Sequence, residues 1–163
     1  MGNAQPWRFV LVRDPARRRG IIENFRRANH EALREYDGAR AAAYARLKLA
    51  GLEEAPVHLA VFADMDTRRG HGLGRRTMPE MLEYSAVAAV HTLWLAARAQ
   101  GLGVGWVSIV DPEAVCASLD VPPGWKLIAY LCLGWPEEEH TDPELQRADW
   151  QARADLSDFL LLR

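Results

Sequence analysis

Apolar runs divide the chain into four predicted strands separated by helical stretches. The second run is apolar at almost every position from Val57 to Ala63, which is typical of a strand buried on both faces. Helices and strands follow one another in mixed order, with one long apolar helix in the middle, so the pattern predicts an α+β fold. The strands are expected over residues 8–12, 57–63, 104–110 and 126–133.

Two helices are predicted before the second strand. The Asp14-Pro15 pair suits the N-cap and first position of a helix, and apolar residues continue at helical spacing to Leu33. A second helical stretch covers residues 39–49 and is expected to end at Gly51. Shorter helical stretches are expected after Asp111-Pro112 and after Pro143.

The middle of the chain predicts a long apolar helix. Thr77 and Glu80 have the spacing of a capping box, which favours a helix start there and an end near Gln100. Residues 86–97 are apolar on nearly every side, so this helix is expected to be buried all round.

Composition excludes several classes of function. The 163 residues are 49% hydrophobic and 26% charged, as in an ordinary globular domain, and the net charge of −2 gives no bulk attraction to nucleic acid or anionic lipid. His91 and Arg98 interrupt the longest apolar run, so we expect no membrane span and a cytoplasmic protein. Cys116 and Cys132 lie in apolar surroundings and are expected to be buried thiols rather than a disulfide. The histidines lack metal-binding spacing.

A polar segment stands directly before the first strand. In Asn3, Gln5, Pro6 and Trp7, two amides flank a proline and precede an aromatic residue. This arrangement places hydrogen-bonding groups at the mouth of a sheet, where planar polar ligands are often held. Taken alone, the same residues also fit an ordinary turn before a strand.

Alternating glycines open the third predicted strand. A helix end and a tight turn explain Gly101 and also suit Gly103, but they leave Gly105 unexplained. Alternating glycines let the backbone approach a flat ligand closely, because no side chain blocks it. A dinucleotide-binding loop is rejected, because its glycines would follow a strand and open a helix. Ser108 lies in the same predicted strand and needs a partner for its hydroxyl, either backbone or ligand. No nucleophile elbow surrounds it.

Two further features are candidates for a binding role. Residues 64–76 form a polar, glycine-rich loop before the central helix, and the segment 70–83 fits either a lid that excludes water or a plain solvated loop. Arg153, in the polar tail, fits either an anion contact or an exposed arginine.

Six short motifs occur in an order and spacing shared with one known family. They are N-A-Q-P-W at 3–7, Y-A-R-L-K at 44–48, H-G-L-G-R at 71–75, T-M-P-E-M at 77–81, E-Y-S at 83–85 and G-V-G-W-V-S-I at 103–109. Together they resemble the nitroreductase-like FMN proteins, and within them the branch that forms 5,6-dimethylbenzimidazole, the lower ligand of vitamin B12. The similarity extends from Asn3 to about Arg153.

The resemblance implies a nitroreductase-like fold, with a central, mostly antiparallel sheet flanked by helices and a buried central helix. It implies an intertwined homodimer with FMN at each subunit interface. The implied activity is that of an oxidoreductase whose substrate is reduced FMN. O2 fragments the flavin to 5,6-dimethylbenzimidazole, the ribityl chain leaves as erythrose 4-phosphate, and a separate flavin reductase supplies the reduced FMN.

The resemblance also implies roles for individual residues. Ser108 matches the active-site serine of the G-W-V-S-I strand and is expected to hydrogen-bond the flavin and guide proton transfer. The residues expected to bind FMN are Asn3, Gln5, Pro6, Trp7, Gly103, Gly105, Trp106, Val107 and Arg153.

The start of the match departs from the family pattern. Family members carry an arginine-rich segment with an aspartate ahead of the position that matches Asn3. Residues 1–163 are therefore expected to be a single nitroreductase-like domain lacking the family's N-terminal helix and arginine-rich loop, with weakened binding of the FMN phosphate and little activity. Two other functions stay open: an NAD(P)H-dependent FMN nitro or flavin reductase, and an inactive flavin-binding remnant.

Overall fold

The computed structural model describes residues 2–47 and 51–163, which build one four-stranded sheet with helices on both faces. The strands are β1 (Trp7–Leu11), β2 (Val57–Asp64), β3 (Gly103–Val107) and β4 (Trp125–Gly134). Their order across the sheet is β1-β2-β4-β3, and every neighbouring pair is antiparallel. The predicted α+β fold with an antiparallel sheet is confirmed, and β1 and β3 form its opposite edges.

Five helices surround the sheet in the described part of the chain. They are α1 (Pro15–Leu33), α2 (Gly38–Arg46), α3 (Met81–Arg98), α4 (Pro112–Leu119) and the single turn α5 (Glu144–Arg147). Short 3₁₀ turns lie at Arg69–Gly72 and Leu156–Phe159. Among residues 2–47 and 51–163, no helix is both long and apolar enough to cross a membrane.

The core lies on both faces of β2, because this strand pairs on both edges and is covered on both sides. On one face Ala60 and Phe62 pack with α1 and α4. On the other face Val61 packs with Val90 of α3 and with Leu131 of β4. A continuous apolar run is what such a central strand requires.

Two predicted helix starts are confirmed by their caps. The Asp14 carboxylate accepts a hydrogen bond from the backbone N–H of Ala16 at 2.7 Å, and Pro15 follows at the first helical position. The Asp111 carboxylate caps α4 in the same way, at 2.9 Å from the N–H of Glu113. Each cap satisfies backbone donors that a helix start leaves free.

The predicted capping box of α3 is wrong. The helix begins at Met81, its cap position is Glu80, and no side chain caps it. Pro79 disfavours helical backbone at the residue before it, so a helix starting at Thr77 is interrupted at once. The segment forms a turn instead, in which the N–H of Met81 bonds to the carbonyl of Met78.

The predicted end of the second helix at Gly51 is also wrong. Helix α2 ends at Arg46, and Leu47 has extended backbone. Tyr44 is the one buried residue of α2, so little apolar packing supports a longer helix. The predicted helical residues 48 and 49 lie outside the described part of the chain.

Helix α3 is not buried all round, contrary to the prediction. The sheet covers the side that carries Val90 and Ala97, whereas Val87, Trp94 and Leu95 stay exposed, Leu95 at 59%. No element in the described part of this chain covers that second side, although its residues are as apolar as those that face the core.

A buried polar pair lies inside the core between β2 and β4. His58 Nδ1 is 3.0 Å from the Tyr130 hydroxyl, and both side chains are fully buried. Burial lowers the pKa of His58, and the positive charge of Arg18 on α1 adds to that effect. Burial likewise raises the pKa of Tyr130 well above its usual range, and it raises the pKa of the neighbouring Cys132 thiol to about 11. The pair is therefore neutral at physiological pH.

The prediction of free thiols is confirmed, and the prediction of burial is confirmed fully only for Cys132. Cys132 is buried, Cys116 is half-buried, and both are free thiols. Burial also raises the pKa of Cys116, so neither side chain is an activated thiolate.

We expect the free energy of unfolding to fall as the pH drops below about 6.5, where histidine in an unfolded chain begins to bind a proton. The pKa of His58 is lowered in the folded state. The unfolded state therefore binds more protons over this range, and a falling pH favours it. Each unit of lowering corresponds to about 1.4 kcal/mol. Urea titrations of wild type and His58→Gln between pH 8 and 5 test this. The variant is expected to lose that part of the slope, and an unchanged slope would contradict the assignment.

Candidate functional site

The polar segment before β1 is fixed by Arg8. Its guanidinium forms an ion pair with Asp64 at the end of β2, with Nη2 and Oδ2 2.6 Å apart. Nη1 donates to the backbone carbonyls of Gln5 at 3.0 Å and Trp7 at 2.9 Å. Asn3 and Gln5 both have positive φ, 57° and 48°, which costs a residue other than glycine about 1 kcal/mol or more. The Arg8 bond to the Gln5 carbonyl holds the unfavourable backbone at Gln5 in place.

The 64–76 loop is docked against this segment. Arg69 Nη2 donates to the side-chain oxygen of Gln5 at 2.7 Å. The backbones also touch, because a Cβ added at Gly2 would lie 2.5 Å from the carbonyl oxygen of Gly70. The loop that is a candidate lid is therefore in contact with residues predicted to bind the flavin.

An open apolar recess of about 530 Å³ lies between Trp7 and α3. Its floor is a helix face of small residues, which lets a flat molecule approach the helix closely. Ser85, which lies on this face, is buried, and Thr92 bonds its hydroxyl back to the carbonyl of Ala88. The recess is lined by Trp7, Ser85, Ala88, Ala89, Thr92, Leu93 and Ala96.

Ser108 does not lie in a strand, contrary to the prediction. Strand β3 ends at Val107, and Ser108 is exposed in the turn that follows. The reason is a contact from α1: the Asn24 amide accepts from the N–H of Asp111 at 2.9 Å and donates to its carbonyl at 3.0 Å. These bonds turn the chain away from the sheet, so the Ser108 hydroxyl needs no partner within the fold.

The glycines of β3 are not required by packing inside the chain. A Cβ added at Gly103 or Gly105 would come no closer than 3.5 Å and 3.9 Å to another atom, which is ordinary contact. Both lie on an edge strand, and Gly105 is exposed. Their neighbours Trp106 and Val107 are half-buried and pack on opposite faces of the sheet. Gly101 has φ of 76° just after α3, as expected of a helix end.

The structure separates the predicted site into two halves. Trp7 begins β1 at one edge of the sheet, and β3 at the other edge carries Gly105 and ends directly before Ser108. Strands β2 and β4 lie between these two edges. Three spacings between neighbouring strands place the edges about 14 Å apart. Strand β3 runs toward the end of the sheet at which β1 begins.

Arg153 is joined to neither half by any contact in the described part of the chain. It is exposed, three residues beyond Trp150. Trp150 packs against Tyr36 and Tyr44, and Arg40 lies 4.6 Å above its ring. The tail is thus fixed on α2 and on the turn before it, and residues 151–163 after it are exposed throughout.

Sequence reasoning missed three contributors to the site. Arg69, Thr92 and Asn24 do not stand out in the sequence, and Ser85 entered only as part of the E-Y-S motif. Small residues recur on one face of α3 at helical spacing, which could have indicated the recess. No local signal could have indicated Arg69 or Asn24, since each acts on a residue distant in sequence. No group of three metal-ligating side chains occurs within the described ranges.

Comparison with known proteins gives the same fold and close relatives. The model of the Nitroreductase family matches residues 1–135. The chain is 61% identical over 153 residues to 5,6-dimethylbenzimidazole synthase from Rhodospirillum rubrum, covering 94% of this chain and 72% of the relative. It is 50% identical to the Rhodobacter capsulatus protein of that name, covering 93% and 73%.

Solved structures of lower identity share the fold. Oxidised iodotyrosine deiodinase bound to FMN and 3-iodo-L-tyrosine superposes with a TM-score of 0.70 at 23% identity, covering 99% of this chain and 77% of that one. A nitroreductase family protein from Streptococcus pneumoniae gives 0.58 at 19% identity, covering 99% and 81%.

We expect Asn24→Ala to lower the free energy of unfolding by about 2–3 kcal/mol, because it removes two hydrogen bonds and leaves the Asp111 backbone without them. Glu23→Ala, on the exposed side of α1, is the matched control and should stay within about 0.5 kcal/mol. Urea denaturation measures both. Equal small effects would show that the turn after Ser108 is held by other contacts.

Proposed function

The chain belongs to the nitroreductase family, and from that premise we propose that it forms 5,6-dimethylbenzimidazole from reduced FMN and O2. The identity of 61% over nearly the whole chain to a relative with that activity in its name carries the proposal. Two further relatives, at 50% and 45% identity, have the same name. The chain is an oxidoreductase, as these relatives are. The two solved structures above, at 23% and 19% identity, support the fold alone.

The described residues suit a flavin mononucleotide. The recess beside α3 offers an apolar floor of alanines for a flat ring system, and Trp7 forms its wall. Gln5 and Asn3 place amides close to that wall for the polar edge of the ring. Arg153 and Arg76, at the end of the 64–76 loop, are exposed and available for a phosphate, although Arg153 is joined to neither half of the site in a single copy. Binding sites for planar cofactors are typically apolar with a few placed polar groups.

When bound and reduced, FMN supplies both the electrons that O2 takes up and the carbon skeleton of the product. The protein's own contribution is to bind the flavin, hold it still and exclude water from it. The apolar face of α3 and the docked 64–76 loop serve that purpose. Because FMN is consumed, each turnover needs a fresh reduced flavin, and a separate flavin reductase is the proposed source.

Ser108 is the proposed group for proton transfer. Its hydroxyl is exposed and is not engaged by any other described residue, so it can face a ligand. The Asn24 contact with Asp111 holds the turn that presents it. A hydroxyl fixed in this way can donate a hydrogen bond to the flavin and pass a proton to it.

A second copy of the chain is proposed to complete the site. The halves with Trp7 and with Ser108 lie at opposite edges of one sheet, so two copies can bring the half of one against the half of the other. Two apolar surfaces lack cover in a single copy: the outer side of α3, with Leu95, and the tail, with Leu162 exposed at 85%. Surfaces of this kind mark protein interfaces. FMN would then lie at the interface of a homodimer.

We expect the full chain, incubated in air with FMN, NADH and an unrelated flavin reductase, to yield 5,6-dimethylbenzimidazole, measured by mass spectrometry. Without O2 no product should form. Ser108→Ala should lower the rate about 100-fold or more, as for removal of a proton-transfer group, while FMN affinity changes little. Ser118→Ala, on α4, is the control.

Other outcomes point to different functions. Oxidation of NAD(P)H by the chain alone, without product, would indicate a flavin or nitro reductase. Bound FMN that is never converted would indicate a flavin-binding protein without the reaction.

We expect the protein to sediment as a dimer, and Leu95→Glu to shift it to a monomer that has lost FMN affinity. The substitution places a charge in the exposed apolar face of α3. Ala117→Glu, on the exposed surface of α4, is the matched control and should leave the dimer intact. Analytical ultracentrifugation measures the mass, and an unaffected dimer in Leu95→Glu would exclude this face from the interface.

A further inference from the structure

The Gln5 amide is held by one charged neighbour. Arg69 Nη2 lies 2.7 Å from Gln5 Oε1. A guanidinium has donors only, so the atom that faces it must be the amide oxygen rather than the nitrogen. The contact therefore fixes one of the two orientations of the amide, with its NH2 group directed away from Arg69.

The NH2 group of Gln5 keeps both of its donors. In the described part of the chain, no hydrogen bond joins Gln5 Nε2 to another residue, and no buried polar side-chain atom lacks a partner. The nitrogen is therefore within reach of solvent or of a ligand. Trp7, two residues along, lines the recess beside α3.

Arg69 is itself held in position by the fold. Its backbone N–H lies 3.4 Å from the buried Thr67 hydroxyl, and Arg75 donates to the Thr67 carbonyl at 3.1 Å. The close approach of Gly2 to Gly70 fixes the next turn of the loop. On the other side of the contact, Arg8 holds the left-handed backbone of Gln5. Both partners are thus anchored by contacts other than the one that joins them.

We propose that Arg69 is a positioning residue that directs the NH2 group of Gln5 at an acceptor atom on the pyrimidine edge of the flavin. This inference rests on the proposed function. The acceptor is a carbonyl oxygen or ring nitrogen, since a fixed NH2 group cannot accept from an N–H. The positive charge on Arg69 also polarises the amide and strengthens its N–H as a donor. Without Arg69 the amide can turn over, and its oxygen, which only accepts, would then face the ligand acceptor without a hydrogen bond.

A double-mutant cycle on the full chain tests this role. The affinity for oxidised FMN, measured by quenching of flavin fluorescence, is compared in wild type, Arg69→Ala, Gln5→Ala and the double variant. We expect Arg69→Ala to weaken binding about fivefold to tenfold, as for loss of the one neutral hydrogen bond from the Gln5 amide to the flavin, and to add nothing in the Gln5→Ala background. Arg69→Lys should recover part of the affinity. Arg68→Ala, its neighbour in the loop, should stay within about twofold.

Three results would overturn the inference. One is an equal loss from Arg69→Ala with and without Gln5, which would mean that Arg69 acts on the flavin directly or on the fold. Another is an equal loss from Arg68→Ala, which would indicate bulk charge. The third is no FMN binding by wild type, which would overturn the proposed function as well. If wild type binds FMN but forms no 5,6-dimethylbenzimidazole, only the proposed reaction is excluded. The four affinities then still decide the role of Arg69.

Discussion

The Arg8 guanidinium holds together the end of the sheet on which the candidate site depends. Its ion pair with Asp64 joins the start of β1 to the end of β2, and it lies 6.0 Å from the ring centre of Trp125, the first residue of β4. The same group bonds the carbonyl of Gln5 and so holds the left-handed backbone there. Both charges are partly buried, which screens the pair less than an exposed one. The Gln5 amide, its contact with Arg69 and the Trp7 wall of the recess all depend on this one anchor.

The position of the site in the sheet follows from its antiparallel order. Trp7 belongs to one edge strand, Ser108 follows directly after the other, and a central strand pair fills the space between them. Edge strands present unpaired backbone and exposed faces that natural proteins normally cover. In this chain both edges instead carry residues with groups free for a ligand: the Gln5 nitrogen on one side, and the Ser108 hydroxyl with the open backbone of Gly105 on the other. A ligand that uses both edges needs a second molecule to bring them together.

Sequence predicted the elements whose cause is local and missed the contacts whose cause is distant. The apolar run from Val57 predicted β2 to within one residue, because a strand buried on both faces is apolar at each position. The aspartate caps of α1 and α4 were predicted correctly because each aspartate bonds a backbone N–H only two residues away. The capping box at Thr77 was wrong because a second local signal, Pro79, competes with it. Ser108 was predicted in a strand because no residue near it in sequence marks the end of β3. The chain after β3 is held by the contact of Asn24 with Asp111, which lies 87 residues further along. The Arg69 contact with Gln5 spans 64 residues and has no signature in either segment.

The apolar residues of α3 cover more of the helix surface than a single copy of the chain buries. Its residues predict a helix enclosed on every side, yet the sheet encloses one side and leaves Leu95 exposed. The same mismatch recurs at Gly105, where glycine stands in a strand although no atom in the described part of this chain excludes a side chain. Burial of apolar surface favours association by roughly 25 cal/mol per Å², so an uncovered helix face of this composition favours a partner. A second copy of the chain would cover α3 and bring a ligand against the open backbone of β3, and it would account for both mismatches with one interface.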